Sequence, residues 1–130
     1  VLKVLFFSQP FPFPMDSGGK IRTGQLLRHL NRRFDITLVS TTDASRDAAY
    51  ASRLSELCRT FHAVPHRPLR RGGPAFYLSV LRWAASRYPV TVANDTSPAL
   101  RAALDRLLTQ RRYDLLVCDF LQPSLNVVGL

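Results

Sequence analysis

The run VLKVLFF, Val1 to Phe7, is the feature that most restricts what this chain can fold into. Its single lysine interrupts an otherwise apolar run, so polar and apolar residues do not alternate, and a strand made from it must be covered on both faces. Such strands belong to parallel sheets between helical layers. DLLVCDF, Asp114 to Phe120, has the same character, with Leu115 to Cys118 as its apolar core. DITLVST, Asp35 to Thr41, is β-branched and reads as another strand, and FHAVP, Phe61 to Pro65, as a short one.

Between these runs the period changes to that of a helix. Ile21, Leu27, Leu30 and Phe34 recur at roughly helical intervals from Lys20 to about Arg33. A second helix is expected around Ala48 to Thr60, with Ala51, Leu54, Leu57, Cys58 and Phe61 on one face. Pro74 can occupy the first turn of a helix over Ala75 to Arg87, anchored by Phe76, Tyr77, Val80, Leu81 and Ala84. The clearest helix starts at Ser97-Pro98, an N-cap hydroxyl followed by proline, after which Leu100, Ala103, Leu104, Leu107 and Leu108 share a face. Strand and helix by turns predict an α/β domain, a Rossmann-like, doubly wound parallel sheet with helices on both faces. The tail FLQPSLNVVGL starts a further element and stops, so the chain reads as a fragment whose last strands lie beyond it.

A chain of 130 residues, 46% of them hydrophobic, suffices for one compact domain. The opening residues carry no basic n-region or small-residue cleavage site, so no signal peptide is expected. No apolar run approaches the ~20 residues of a membrane-spanning helix. Cys58 and Cys118 stand among apolar neighbours without metal-ligand spacing, as reduced thiols of a cytoplasmic protein would. Eighteen Lys plus Arg against nine Asp plus Glu give a formal charge of +9, which favours phosphate-bearing partners. The basic residues are scattered and no zinc-finger or RNA-binding signature is present, so nucleic acid is the least favoured of these.

In an open parallel sheet ligands bind beyond the carboxyl ends of the strands. Gln9 to Gly19, QPFPFPMDSGG, would form the loop after the first strand, since Pro10, Pro12 and Pro14 prohibit a helix. Asp16, Ser17, Gly18 and Gly19 then start the first helix, where backbone N–H groups could approach a phosphate, with Lys20 and Arg22 adding positive charge. The alternative is a tight turn with Asp16 or Ser17 as N-cap. A Walker A loop is excluded because Pro14 holds its first glycine position and Ile21 replaces Ser/Thr; a dinucleotide fingerprint is excluded by the proline-rich insertion. Asp119, at the end of LLVC, is the candidate catalytic carboxylate facing the same crevice, or else a strand-end turn residue. His29, His62 and His66 lack triad or metal spacing and read as surface or capping residues.

The segment RPLRRGGPAFYLSVLRWAASRY, Arg67 to Tyr88, interleaves Arg67, Arg70, Arg71, Arg82 and Arg87 with Phe76, Tyr77, Trp83 and Tyr88. It suits either an anionic bilayer surface or a sheet-covering helix with a solvated basic side.

FFSQPFPFPMDSGGKIRTGQLLRHLNRRFDITLVS, with its strand, proline-rich turn, SGG-K-IR-T loop and amphipathic LLRHL helix, resembles the start of bacterial sugar transferases of the GT-B type, glycosyltransferase family 4. The likeness continues more weakly through SPALRAALDRLL and YDLLVCDFLQP. The resemblance implies the N-terminal, acceptor-side domain of an enzyme that moves a sugar from a nucleotide-diphosphate donor to a hydroxyl acceptor, without cofactor or essential metal. It places the loop matching Gly18-Gly19 near the donor phosphates and acceptor, and Asp119-Phe120 at a strand end that opens toward the interdomain cleft. The donor-binding domain with its paired-glutamate motif has no counterpart, so the fragment alone is expected to be inactive. Many relatives use lipid-linked acceptors in envelope or exopolysaccharide synthesis, which implies a cytoplasmic protein peripheral to the inner membrane face. The competing reading from a different class is a non-enzymatic, flavodoxin-like module that binds phosphate or a nucleotide.

Overall fold

The computed structural model describes residues 1–65, 72–87, 97–120 and 122–130. Four strands, β1 (Lys3–Ser8), β2 (Asp35–Thr42), β3 (Thr60–Pro65) and β4 (Leu115–Asp119), form one sheet in the order β3-β2-β1-β4. Every pairing is parallel. Phe6 of β1 lies between Leu38 of β2 and Val117 of β4, which makes β1 an interior strand. The helices are α1 (Gly18–Leu30), α2 (Ala44–Asp47), α3 (Pro74–Ala84) and α4 (Pro98–Gln110). The architecture is α/β with an all-parallel sheet flanked by helices, compatible with a Rossmann-like fold. Flavodoxin-like sheets place their third strand beside the first; here β1 has β2 and β4 as neighbours.

The apolar character of β1 on both faces has the expected origin. Side chains alternate across a strand, so Val4 and Phe6 join Leu27, Ile36, Leu38, Leu57 and Cys58 in one core. Leu5 and Phe7 point the other way, into a core with Val39, Val64, Leu100, Leu104 and Leu107. The first core is covered by α1 and by the 3₁₀ helix Ala48–Glu56 that continues α2; the second is covered by α4. The helix expected around Ala48 to Thr60 is thus a 3₁₀ helix over Ala48–Glu56, preceded by the short α2, and Thr60 already belongs to β3. The N–H groups of Leu57 and Cys58 both donate to the Leu54 carbonyl, and Arg59 N–H already donates to Ile36 of β2. Sheet pairing therefore claims the last residues of the predicted helix.

At α4 the sequence signal is realised in full. Ser97 accepts from Leu100 N–H at 3.4 Å, and Pro98 occupies the first turn. The tail returns to this point as a 3₁₀ helix, Gln122–Asn126. Asn126, fully buried, accepts from Ser97 N–H at 2.8 Å and donates to the Pro123 carbonyl at 2.9 Å.

The proline-rich loop is part of the core. Phe11 and Phe13 are buried; Phe11 meets Phe61 edge-on at 5.8 Å, and Phe13 stacks on Tyr50 at 5.6 Å. The loop is fastened to α1 by Met15, whose methyl and sulfur occupy the notch above Gly24: a Cβ there would lie 2.2 Å from the Met15 methyl. The three prolines mark this stretch as a loop but do not mark its two phenylalanines as core residues.

Helix α3 departs from expectation. None of its residues is buried, and of the predicted anchors Tyr77 and Leu81 are 60% and 71% exposed, with Ala84 also exposed. Phe76, Val80 and Trp83 are half-buried. The faces of β1 and β2 are filled by α1, the 3₁₀ helix and α4, and no α3 residue belongs to either core. His66, Arg67, Arg70, Arg71 and Tyr88 lie outside the described residues. Among the described residues no helix is long and apolar enough to cross a membrane.

If the loop belongs to the core, Phe13→Ala should destabilise the chain by about 3–5 kcal/mol in urea unfolding, the usual cost of deleting a fully buried ring. Tyr50→Leu, which keeps apolar volume but removes the stacked ring, should cost about 1 kcal/mol.

Candidate functional site

The order of the sheet reverses between β1 and β4: β2 and β3 lie to one side of β1, β4 to the other. In open α/β sheets this switch point is where the strand ends leave a crevice. Ser8 and Asp119, the last residues of β1 and β4, are register partners there.

The N-terminus of α1 stands over this end. Ser17 is its N-cap residue in extended conformation, but its hydroxyl makes no capping hydrogen bond. The first intrahelical bond runs from Ile21 N–H to the Ser17 carbonyl at 2.9 Å. The N–H groups of Gly18, Gly19 and Lys20 precede the first residue that can be bonded within the helix. No acidic residue occupies the first turn, so the partial positive charge at this end is not offset from within the helix. Asp16, just outside, is paired with Lys20 at 3.3 Å as an exposed i,i+4 bridge.

Beside this helix end lies an open recess of about 140 Å³ lined by Ser8, Pro10, Pro12, Ser17, Gly19, Lys20, Thr23 and Phe120. That is below the usual size of ligand pockets, about 300–1,000 Å³. It suits a phosphate or a single sugar ring better than an entire nucleotide sugar.

Asp119 lies beneath, 5% exposed. One carboxylate oxygen accepts from the Arg22 guanidinium and the other from the Thr23 hydroxyl. Both donors come from α1, so Asp119 ties the end of β4 to that helix. Arg22 is half exposed, and its guanidinium carbon lies 4.5 Å from the centre of the Phe120 ring. Phe120 has φ +71°, a left-handed conformation rarely adopted by a bulky residue and costing about 1–3 kcal/mol. Its ring approaches Gly19 so closely that a Cβ there would be 3.2 Å away. Around Gly18 there is nothing within 4 Å, so no packing contact demands glycine at that position.

Of the residues singled out in the sequence, Ser17, Gly19 and Lys20 line the recess. Arg22 reaches it through Phe120, while Asp16 and Gly18 flank it. Asp119 is at the predicted strand end, buried, with each carboxylate oxygen accepting one hydrogen bond from α1, from Arg22 and from Thr23. Thr23 and Phe120 are the residues that sequence reasoning left without a role. Thr23 had a signal: it lies one residue beyond Arg22, on the helix that begins at the glycine pair. Phe120 had none, since a left-handed phenylalanine has no sequence signature.

Among the described residues no three His, Cys, Asp or Glu side chains are grouped so as to hold a metal ion. His62 lies on edge strand β3, separated from β1 by β2, with its pKa lowered first by burial and then by Arg111. Both cysteines are free thiols, and burial pushes each pKa up to about 11, the Asp119 charge adding to the rise at Cys118.

Loss of Arg22 would strand a buried carboxylate oxygen, so Arg22→Ala should cost about 1–3 kcal/mol. Thr23→Val should weaken the same tie, and a double-mutant cycle of Arg22→Ala with Asp119→Ala should give a coupling of about 0.5–3 kcal/mol. For the thiols, a disulfide reagent at pH 8 should label the native chain far more slowly than the unfolded chain, because the thiolate is the reactive form. With folded pKa values above the unfolded one, the stability linked to them is fully present below about pH 9 and is lost as pH rises through about 11; urea midpoints across pH 8 to 11 check this. Comparison with known proteins adds no relative to this geometry: no family model, no curated protein and no solved structure matches the chain.

Proposed function

We propose that this chain is the acceptor-side, doubly wound Rossmann-like domain of a nucleotide-sugar-dependent glycosyltransferase, and that the recess at the end of β1 receives a phosphate-bearing group of its ligand. The observation that carries the reading is the uncapped N-terminus of α1 beside the recess, at the point where the strand order reverses. Helix N-termini of this kind bind anions because several N–H groups converge where the dipole is positive. Gly18, Gly19 and Lys20 supply those donors, with the Ser17 hydroxyl beside them, and the Lys20 and Arg22 side chains add charge. The resemblance of the SGG-K-IR-T segment to family 4 sugar transferases narrows the anion to the diphosphate of a nucleotide sugar.

In sugar transfer the bond between the anomeric carbon and the diphosphate oxygen breaks, a bond to the acceptor oxygen forms, and the hydroxyl proton passes to the departing diphosphate or to solvent. Negative charge grows on the departing diphosphate, which is where preorganised donors contribute most. Arg22, held by Asp119 and stacked on Phe120, is suited to that task. Asp119 then serves as the positioning residue for Arg22, whose guanidinium donates to it. In this reading the protein works at the cytoplasmic face of the inner membrane in envelope or exopolysaccharide synthesis, on a hydroxyl acceptor that can be lipid-linked.

Titration of uridine- and guanosine-diphosphate sugars into the natural full-length protein tests the reading. Gly18→Val, whose side chain enters open space, should leave the circular dichroism unchanged and weaken donor binding about tenfold or more by obstructing approach to the helix end. Arg22→Gln should lower kcat more than it raises KM, because its charge matters most as the diphosphate departs. Unaltered binding and turnover in both variants would reduce the glycine pair to a structural turn.

A further inference from the structure

We propose that the Phe120 ring is the platform on which a pyranose ring rests when its phosphate lies at the start of α1. This inference rests on the reading of the recess as an anion site and names the group that sits beside the anion. At φ +71° the backbone of Phe120 lies where glycine, or less often asparagine or aspartate, is the ordinary choice. The turn out of β4 needs only that backbone, and glycine would make it without strain. The phenylalanine side chain therefore contributes something the turn does not require. Core packing is not that contribution, since Phe120 belongs to neither core and is 38% exposed. Strained backbone of this kind clusters at binding sites, where the surrounding structure holds it in place.

Two neighbours fix the ring. Gly19 admits it against the helix start, where a Cβ would lie 3.2 Å from the tip of the ring. Arg22 lies over the ring, its guanidinium carbon 4.5 Å from the centre, and is itself held by Asp119. So placed, Phe120 lines the recess together with Pro10 and Pro12, while Ser8, Ser17 and Lys20 line it with polar groups. Apolar walls with a few placed polar groups are the makeup of small-molecule sites. A bare phosphate gains nothing from the apolar wall. A pyranose does: its C–H face packs on an aromatic or proline surface, and its hydroxyls are left to the serines and the lysine. Because the ring abuts Gly19 at the helix start, the group that stacks on it has to be bonded directly to the phosphate. A nucleobase, set apart from its phosphates by a ribose, does not meet that condition. The chemistry is a hexose carried on phosphate, whether the donor's sugar or that of a phosphate-linked acceptor.

Saturation-transfer NMR on the full-length protein tests this, with the 1-phosphates of glucose, mannose and galactose set against inorganic phosphate and glycerol 3-phosphate. At least one sugar 1-phosphate should bind about tenfold more tightly than the ringless phosphates, the worth of one well-placed ring contact. Its ring C–H protons should receive most of the saturation. Phe120→Gly should bring that ligand down to the affinity of inorganic phosphate, while the urea midpoint stays the same or rises, because glycine adopts this backbone without strain. Phe120→Tyr, which keeps the ring, should retain the affinity within about threefold. Equal binding of sugar and ringless phosphates, or undiminished sugar binding by Phe120→Gly, would overturn the proposal and leave the anion reading standing. A marked fall in the Phe120→Gly midpoint would overturn it as well, since the ring would then be holding the fold. Failure of every phosphate and of the nucleotide-diphosphate sugars to bind would overturn both readings. Competition between the bound sugar phosphate and uridine- or guanosine-diphosphate sugars would identify the stacked hexose as the donor's, and simultaneous binding would identify it as the acceptor's, each in support of the proposal.

Discussion

Strand β1 is hydrogen-bonded along both edges and packed on both faces, and the position of nearly everything else follows from that. A strand so enclosed cannot slip by one residue, because doing so would exchange the side chains of the two cores. Its register in turn fixes β2 on one side and β4 on the other. The chain leaves β1 at Ser8 next to the end of β4, and the loop that follows has to travel over one face before α1 can begin. Phe11 and Phe13 make that passage a packed one.

The strength of the sequence signal varied with the number of independent constraints on each segment. Strand β1 was legible because burial on both faces leaves only large apolar residues, and α4 because its cap, its proline and its leucine period agree; β4 was legible from the same apolar run, although Leu115 is exposed and Leu116 to Cys118 are only half-buried. The 3₁₀ helix was read as α-helical, since period alone does not separate the two and the competing pull of β3 on Arg59 is long-range. Helix α3 was assigned a covering role from its composition. Apolar content says that a helix must meet something, but not whether that is the sheet, and the faces of β1 and β2 had been taken by other elements.

The site was partly legible for a related reason. Topology alone predicts where a parallel sheet is open to ligands, so Ser17, Gly19 and Lys20 could be located from the first strand and the glycine pair. The bonds of Asp119 to Arg22 and Thr23 join residues ninety-six or more positions apart, and no local pattern announces them. They make the aspartate an anchor for a cation. Phe120 completes the arrangement by a backbone conformation that the sequence does not encode in any recognisable way.

The free hydroxyl of Ser17 has a consequence for dynamics. A helix usually closes its first turn with its own cap, and without one the terminal turn opens more readily. On the proposed function, an acceptor arriving from outside completes the turn, so occupancy of the recess and ordering of the first residues of α1 become one equilibrium. Amide exchange at Gly18, Gly19 and Lys20 is thereby tied to ligand concentration, and this end of the helix gains rigidity when the recess is filled.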